Sequence, residues 1–208
     1  MKQLILLLVA LAAMAGTSGT MPADIQAAPL SAVQQSQLQG TLYDPRPAFH
    51  LALPSNNGNR SAPTHITGQS YMSALFRLRN CPDVCPTTLA DIKQALAQPG
   101  VNAEEVVVIF VTVDPARDTQ ARLTEYLGYF HEPNLIGLTG NEAQIAAFAY
   151  QYGAKFTREA DITATGGYSM AHTARLFLIN RQGEWVMSLP WGITPAQLAL
   201  DLRYWLAQ

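Results

Sequence analysis

Residues 106–113 read VVVIFVTV, β-branched at every position except Phe110 and polar only at Thr112. A half-buried strand alternates apolar and polar residues, whereas a continuous apolar run is buried on both faces. The stretch therefore predicts a central strand with helices covering the sheet on either side. Working outward, further strands are expected at Ser73–Leu78, which carries a charge near its end, and at the short run Leu135–Leu138. Arg175–Ile179 and Glu184–Leu189 flank Asn180-Arg181-Gln182-Gly183, a hairpin signature with glycine late in the turn.

Helices fall between these strands. Leu89, Ile92 and Leu96 recur at helical spacing. Asp118 or Thr119 can cap a helix to about Phe130 that buries Leu123, Tyr126 and Leu127. Asn141 caps another through Tyr152, stopped by Gly153. Thr194-Pro195 opens the last, with Leu198, Leu202 and Trp205 inward. Phe148, Tyr150 and Trp205 are expected in the core. The order β-α-β-α-β-α-β-β-α implies an α/β thioredoxin-like fold, a central mixed sheet flanked by helices, mostly parallel with an antiparallel hairpin at its end.

Both cysteines of the chain lie where the first predicted strand gives way to a helix, in Cys81-Pro82-Asp83-Val84-Cys85-Pro86. Ligands of open α/β sheets bind beyond the strand C-termini. Pro86 suits the first helical position, which puts the thiols at a positive helix end that favours thiolate. Three chemistries fit: an inert disulfide, which closes so short a loop that it stabilises little; thiol-disulfide exchange, whose usual spacing has two intervening residues rather than three; and a soft-metal site, since paired thiolates suit Cu(I). The last needs a further ligand. His50 and His65 sit in loop-like sequence, and His131 ends a helix. His172 precedes the strand at 175–179 and follows a long polar loop at 154–171, so it can reach back to the cysteines. Met170 offers a thioether nearby. Asp114 opens from the central strand onto the same sheet edge, Asp118 and Thr119 read as structural, and Arg117 reads as an exposed charge.

CPDVCPTTL at 81–89, VTVDPARDT at 111–119, IGLTG at 136–140 and His172-Thr173 before a strand resemble, in motif and order, the SCO/SenC family of copper-binding, thioredoxin-like proteins that assist assembly of the copper centre of cytochrome c oxidase. The resemblance covers about residues 65–206. It implies a copper site of Cys81, Cys85 and His172 that takes Cu(I) or Cu(II), with the cysteine pair cycling between dithiol and disulfide. It also implies a metallochaperone handing copper to a cytochrome c oxidase subunit or another cuproenzyme, and a periplasmic dithiol reductant that prepares the cysteines for loading. The alternative is a periplasmic thiol-disulfide reductase acting through Cys81 or Cys85. The family places Asp before the ligand histidine where this chain has Ala171, and a carboxylate that orients a metal-bound imidazole is worth about 10–100-fold in affinity. It also prefers a Gly-aromatic-Ser/Thr approach to the first cysteine, where this chain carries Arg77 and Arg79. Their charge lowers thiol pKa or repels a copper ion.

The remaining sequence bounds the setting. Of 208 residues 49% are hydrophobic, which excludes wholesale disorder. With 13 Lys plus Arg against 15 Asp plus Glu, no basic surface is on offer for nucleic acid. Lys2, the apolar run Leu4–Ala15 and the small-x-small Ala13-Met14-Ala15 read as a signal peptide over 1–15, since twelve helical residues rise only about 18 Å. An uncleaved signal would instead anchor the chain in the membrane. Residues 16–45 read as a flexible leader, 46–208 as the thioredoxin-like domain, and Asn56-Asn57-Gly58-Asn59 as a turn. Export to a bacterial periplasm follows from the signal.

Overall fold

A computed structural model describes residues 36–48, 53–56, 58, 60–61, 70–76, 84–160 and 168–208, all within the unit Ser31–Gln208. The expected signal peptide, most of the leader, and His50, His65, Arg77, Arg79 and Cys81 lie outside the described residues. The elements run β1 (Thr41–Pro47), β2 (Leu53–Pro54), β3 (Arg60–Ser61), β4 (Ser70–Phe76), α1 (Val84–Leu96), β5 (Val106–Thr112) and α2 (Gln120–Gly128). They continue as β6 (Leu135–Leu138), α3 (Glu142–Gln151), β7 (Phe156–Ala160), β8 (Tyr168–His172), β9 (Arg175–Ile179), β10 (Glu184–Pro190) and α4 (Pro195–Leu206).

Six strands form one sheet in the order β1-β10-β9-β4-β5-β6. β5 lies between β4 and β6, parallel to both, and all seven of its residues are buried. Val106, Val108 and Phe110 face a core shared with Leu89 and Ile92 of α1, Leu123 of α2 and Leu198 of α4. Val107, Ile109 and Val111 face the opposite core, built with Ile145 and Phe148 of α3, Tyr152, Phe177 and Trp185. The two-sided burial expected of the continuous apolar run is what the sheet uses.

The sheet is mixed and flanked by helices, as expected, with antiparallel pairs outnumbering the parallel ones. β9 runs antiparallel to β4, β10 to β9, and β1 to β10. β1 takes up residues 41–45, expected in the leader. An edge strand leans on its partner more than on its own hydropathy, and Pro45, Arg46 and Pro47 are residues that suit an edge. Tyr43 Oη lies 3.0 Å from Ser188 Oγ, and the Arg46 guanidinium stacks 3.9 Å from the Trp185 ring.

The caps follow the sequence closely. Thr119 accepts from Arg122 N, and Asn141 with Gln144 and Thr194 with Gln197 form capping boxes. Gly58 (φ 81°) turns the short β2–β3 hairpin, and Gly153 (φ 63°) follows α3. Three boundaries or placements differ from expectation. α1 begins at Val84, because a proline in the first turn forfeits no intrahelical bond. α2 stops at Gly128, and exposed His131 beyond it adopts φ 51°. Tyr150 is 84% exposed on α3, whereas Tyr152 is the buried ring, in helical register with Ile145, Phe148 and Ala149.

Candidate metal centre

The expected long loop over 154–171 is a two-stranded antiparallel ribbon, β7 with β8, pairing Phe156 with His172, Arg158 with Met170 and Ala160 with Tyr168. Its strands carry few apolar residues and β7 is largely exposed, so no strong hydrophobic pattern announces it. Successive side chains of a strand point to opposite faces. Tyr168, Met170 and His172 therefore share one face of β8, with Ser169 and Ala171 on the other. Met170 packs against the core on the α3 side of the sheet, which gives its side chain a structural task.

His172 closes the base of the ribbon. Thr173 N donates to Lys155 O (2.8 Å), and Lys155 N donates to Thr173 Oγ1 (3.0 Å). The half-buried His172 ring has Nδ1 3.2 Å from Thr173 O. When Nδ1 carries the proton it donates to that carbonyl, and Nε2 keeps its lone pair for a metal. A backbone carbonyl thus lies within hydrogen-bond reach of the ring whose chain neighbour, by the resemblance, would be a carboxylate. Ala171, in that place, is exposed and on the opposite face of the strand.

Register brings the C-terminal ends of β4 and β5 and the start of β9 to one sheet edge. Phe76 pairs with Thr112 at the C-terminal ends of β4 and β5, and Ala74 pairs with Leu176 near the start of β9. β4 therefore ends beside the end of β5 and the entrance of β9, three residues after His172, while Cys81 lies beyond β4 outside the described residues. Cys85 lies in the first turn of α1. One turn further on, Thr88 and Asp91 line a groove with Ala174, Arg175 and the exposed Trp191, so the beginning of α1 and the beginning of β9 adjoin. Among the described residues no three His, Cys, Asp or Glu side chains converge by themselves. The donor set in prospect, two thiolates and one imidazole, is chemically suited to a soft cation.

Asp114 sits at this edge directly after β5 and is 2% exposed. Its Oδ2 is ion-paired with Arg117, and its Oδ1 accepts from Tyr168 Oη (2.8 Å). Arg117 is thus partly buried and paired, not the exposed charge expected. Its Nη1 also donates to Tyr168 O (3.1 Å), and its guanidinium lies 3.8 Å from the Tyr168 ring centroid. Arg158 stacks on the same ring at 4.3 Å. Desolvation, reinforced by the hydrogen bond to Asp114, pushes the Tyr168 hydroxyl above its ordinary pKa. Asp118 is structural: it is buried and accepts from Thr112 Oγ1 (2.5 Å), while its carbonyl accepts from Thr139 Oγ1 (3.1 Å). Tyr168 escapes a reading of the sequence, its one signal being the Tyr168–Met170–His172 alternation.

Known proteins share this architecture. The chain is 31% identical over 128 residues to the SCO2-like protein RC0895 of Rickettsia conorii, a match spanning 62% of this chain and 62% of that protein. The structure of Bradyrhizobium japonicum ScoI with copper bound superposes with a TM-score of 0.66 at 34% identity, covering 77% of this chain and 99% of that one. Arabidopsis thaliana ScoI with copper bound gives 0.68 at 26% identity, covering 78% and 99%. The SCO1/SenC family model matches residues 45–207, which include the CPDVC segment, the acidic turn after β5 and the ribbon bearing His172; the chain belongs to the SCO1/SenC family.

Proposed function

We propose that this protein is an exported copper metallochaperone that binds one copper ion through the thiolates of Cys81 and Cys85 and the imidazole of His172, then passes it to a cuproenzyme, a cytochrome c oxidase subunit by family resemblance. The observation that carries this reading is the position of His172 on β8, beside the sheet edge where β4 ends and α1 begins, with Nδ1 against Thr173 O. Two further points support it. The copper-bound ScoI structures share this fold, one of them at 34% identity. Cys85 in the first turn of α1 lies at the positive end of the helix, which favours the thiolate a metal requires.

In this reading copper is cargo, and the chain's residues hold and release it. Thiolates bind Cu(I) strongly, the imidazole completes the donor set, and exchange with a recipient's ligands moves the ion on. Loading requires the dithiol, so a periplasmic reductant of the cysteine pair is a partner. Export is supported by the signal-like residues 1–15. Among the described residues no helix is long and apolar enough to cross a membrane.

Copper stoichiometry and absorption of the reduced protein, measured beside Cys81→Ala and His172→Ala, test the proposal. One copper per chain, lost in both variants and giving thiolate-to-Cu(II) charge-transfer bands on oxidation, is the expected result. Absence of binding by the fully reduced wild type would refute it. The same helix end also activates a thiol for attack on a partner disulfide. Disulfide reduction that survives His172→Ala, without copper binding by the wild type, would establish that function instead.

A further inference from the structure

We propose that Asp114, Arg117 and Tyr168 form a positioning clamp that pins the β7–β8 ribbon to the end of β5 and thereby sets where His172 stands. The role rests on the reading of His172 as a copper ligand. A two-stranded ribbon is marginal by itself and must be held by what it touches. At its base the ribbon has the Lys155–Thr173 bonds and the packing of Phe156 and Met170 on the core. Beside the exposed pair of Arg158 with Glu142 of α3 (3.2 Å), the ribbon is tied again at Tyr168, four residues away along β8, about 13 Å of strand. There the hydroxyl donates to Asp114 Oδ1, the carbonyl accepts from Arg117 Nη1, and the ring is stacked on by Arg117 and, from β7, by Arg158.

The anchor end is rigid for a separate reason. Asp114 N donates to Thr112 Oγ1 (2.9 Å), which in turn donates to buried Asp118, while Asp118 N and Arg117 N donate to Asp114 O. The turn after β5 is thus fixed to the central strand before it grips the ribbon. Hydrogen bonds to a charged group in a dry site are among the stronger ones, and both Asp114 oxygens are engaged. With Tyr168 tied, both ends of β8 are held, and the imidazole at its C-terminal end has a defined place over the sheet edge. With Tyr168 untied, the exposed Arg158–Glu142 pair, a surface contact worth little, restrains the ribbon weakly, and its rocking tilts the His172 ring at its base.

Tyr168→Phe is the probe, because it removes the hydroxyl while keeping the ring for Arg117 and Arg158; Tyr168→Ala removes both and should act in the same direction with larger effect. Two readouts are needed: amide hydrogen exchange of the metal-free protein, and copper affinity by chelator competition. The expected result for Tyr168→Phe is exchange about tenfold faster across β7 and β8, the lower end of what a hydrogen bond to a charged group is worth, with β5 and α1 unchanged and copper bound about tenfold more weakly. Unchanged exchange in the ribbon, or a uniform increase over all elements, would overturn the clamp. A loosened ribbon with wild-type copper affinity would overturn its positioning role. Failure of the ligand reading would show differently, as His172→Ala binding copper like the wild type. That result would remove the positioning role too, whatever the exchange data say of the ribbon.

Discussion

At the residue scale the informative contrast is between His172 and its neighbour. Family resemblance sets a carboxylate before the histidine, and a carboxylate orienting a bound imidazole is worth about 10–100-fold in affinity. In this protein Ala171 is exposed on the face of β8 opposite His172, and the ring's Nδ1 already faces Thr173 O at 3.2 Å. Ala171→Asp should therefore alter copper affinity by no more than about twofold, measured by chelator competition. A tenfold gain would mean that a carboxylate at 171 does reach the imidazole and that Thr173 O is a poor substitute. The place of His172 just before a strand was legible in the sequence because it is a local feature. Its supporting residues were not, since Tyr168 meets Asp114 across 54 positions and no short-range pattern reports such a contact.

At the scale of elements, the caps and the stripes they delimit carry most of the predictable stability. Asn141 and Gln144 exchange bonds of 2.9 Å at the start of α3, so Asn141→Ala should cost about 1 kcal/mol in denaturant unfolding, as for other N-cap losses. The same helix separates core from surface by two residues. Tyr150 is exposed, and Tyr150→Ser should shift stability by less than about 0.5 kcal/mol. Tyr152 packs against Phe148, Phe177 and Trp185, and Tyr152→Ala should cost about 3 kcal/mol or more. Equal costs for the two tyrosines would mean that the face of α3 is wrongly assigned. β5 was readable as an unbroken apolar run, and α1 and α4 because a 3.6-residue period records a buried stripe. β1 and the β7–β8 ribbon were not, for they are held by partners: Ser188 and Trp185 in one case, Asp114 and Arg117 in the other.

At the scale of the whole molecule, the two ends of the domain are joined through one buried carboxylate. Asp201 of α4 is 1% exposed and accepts from Gln39 N (3.0 and 3.2 Å) and Gly40 N (3.0 Å), just before β1. Gln197 Nε2 adds a bond to Gln39 Oε1 (3.1 Å). Desolvation outweighs the three accepted bonds and raises the Asp201 pKa above its ordinary 3.8. The folded state therefore holds this proton more tightly than the unfolded chain does. Its contribution to stability is complete below about pH 3.8 and is lost as pH rises through the raised folded value. Asp201→Asn cannot titrate and keeps one oxygen acceptor. The stability of wild type relative to Asp201→Asn, measured by denaturant unfolding, should accordingly fall as pH is raised from about 3.5 to 7. A difference that stays flat, or that rises with pH, would show that the backbone bonds dominate over burial. Asp201→Ala is a harsher test of the tie itself. It leaves the N–H groups of Gln39 and Gly40 without their acceptor, a loss of about 1–3 kcal/mol, and the amides of β1 should exchange faster while those of β5 do not.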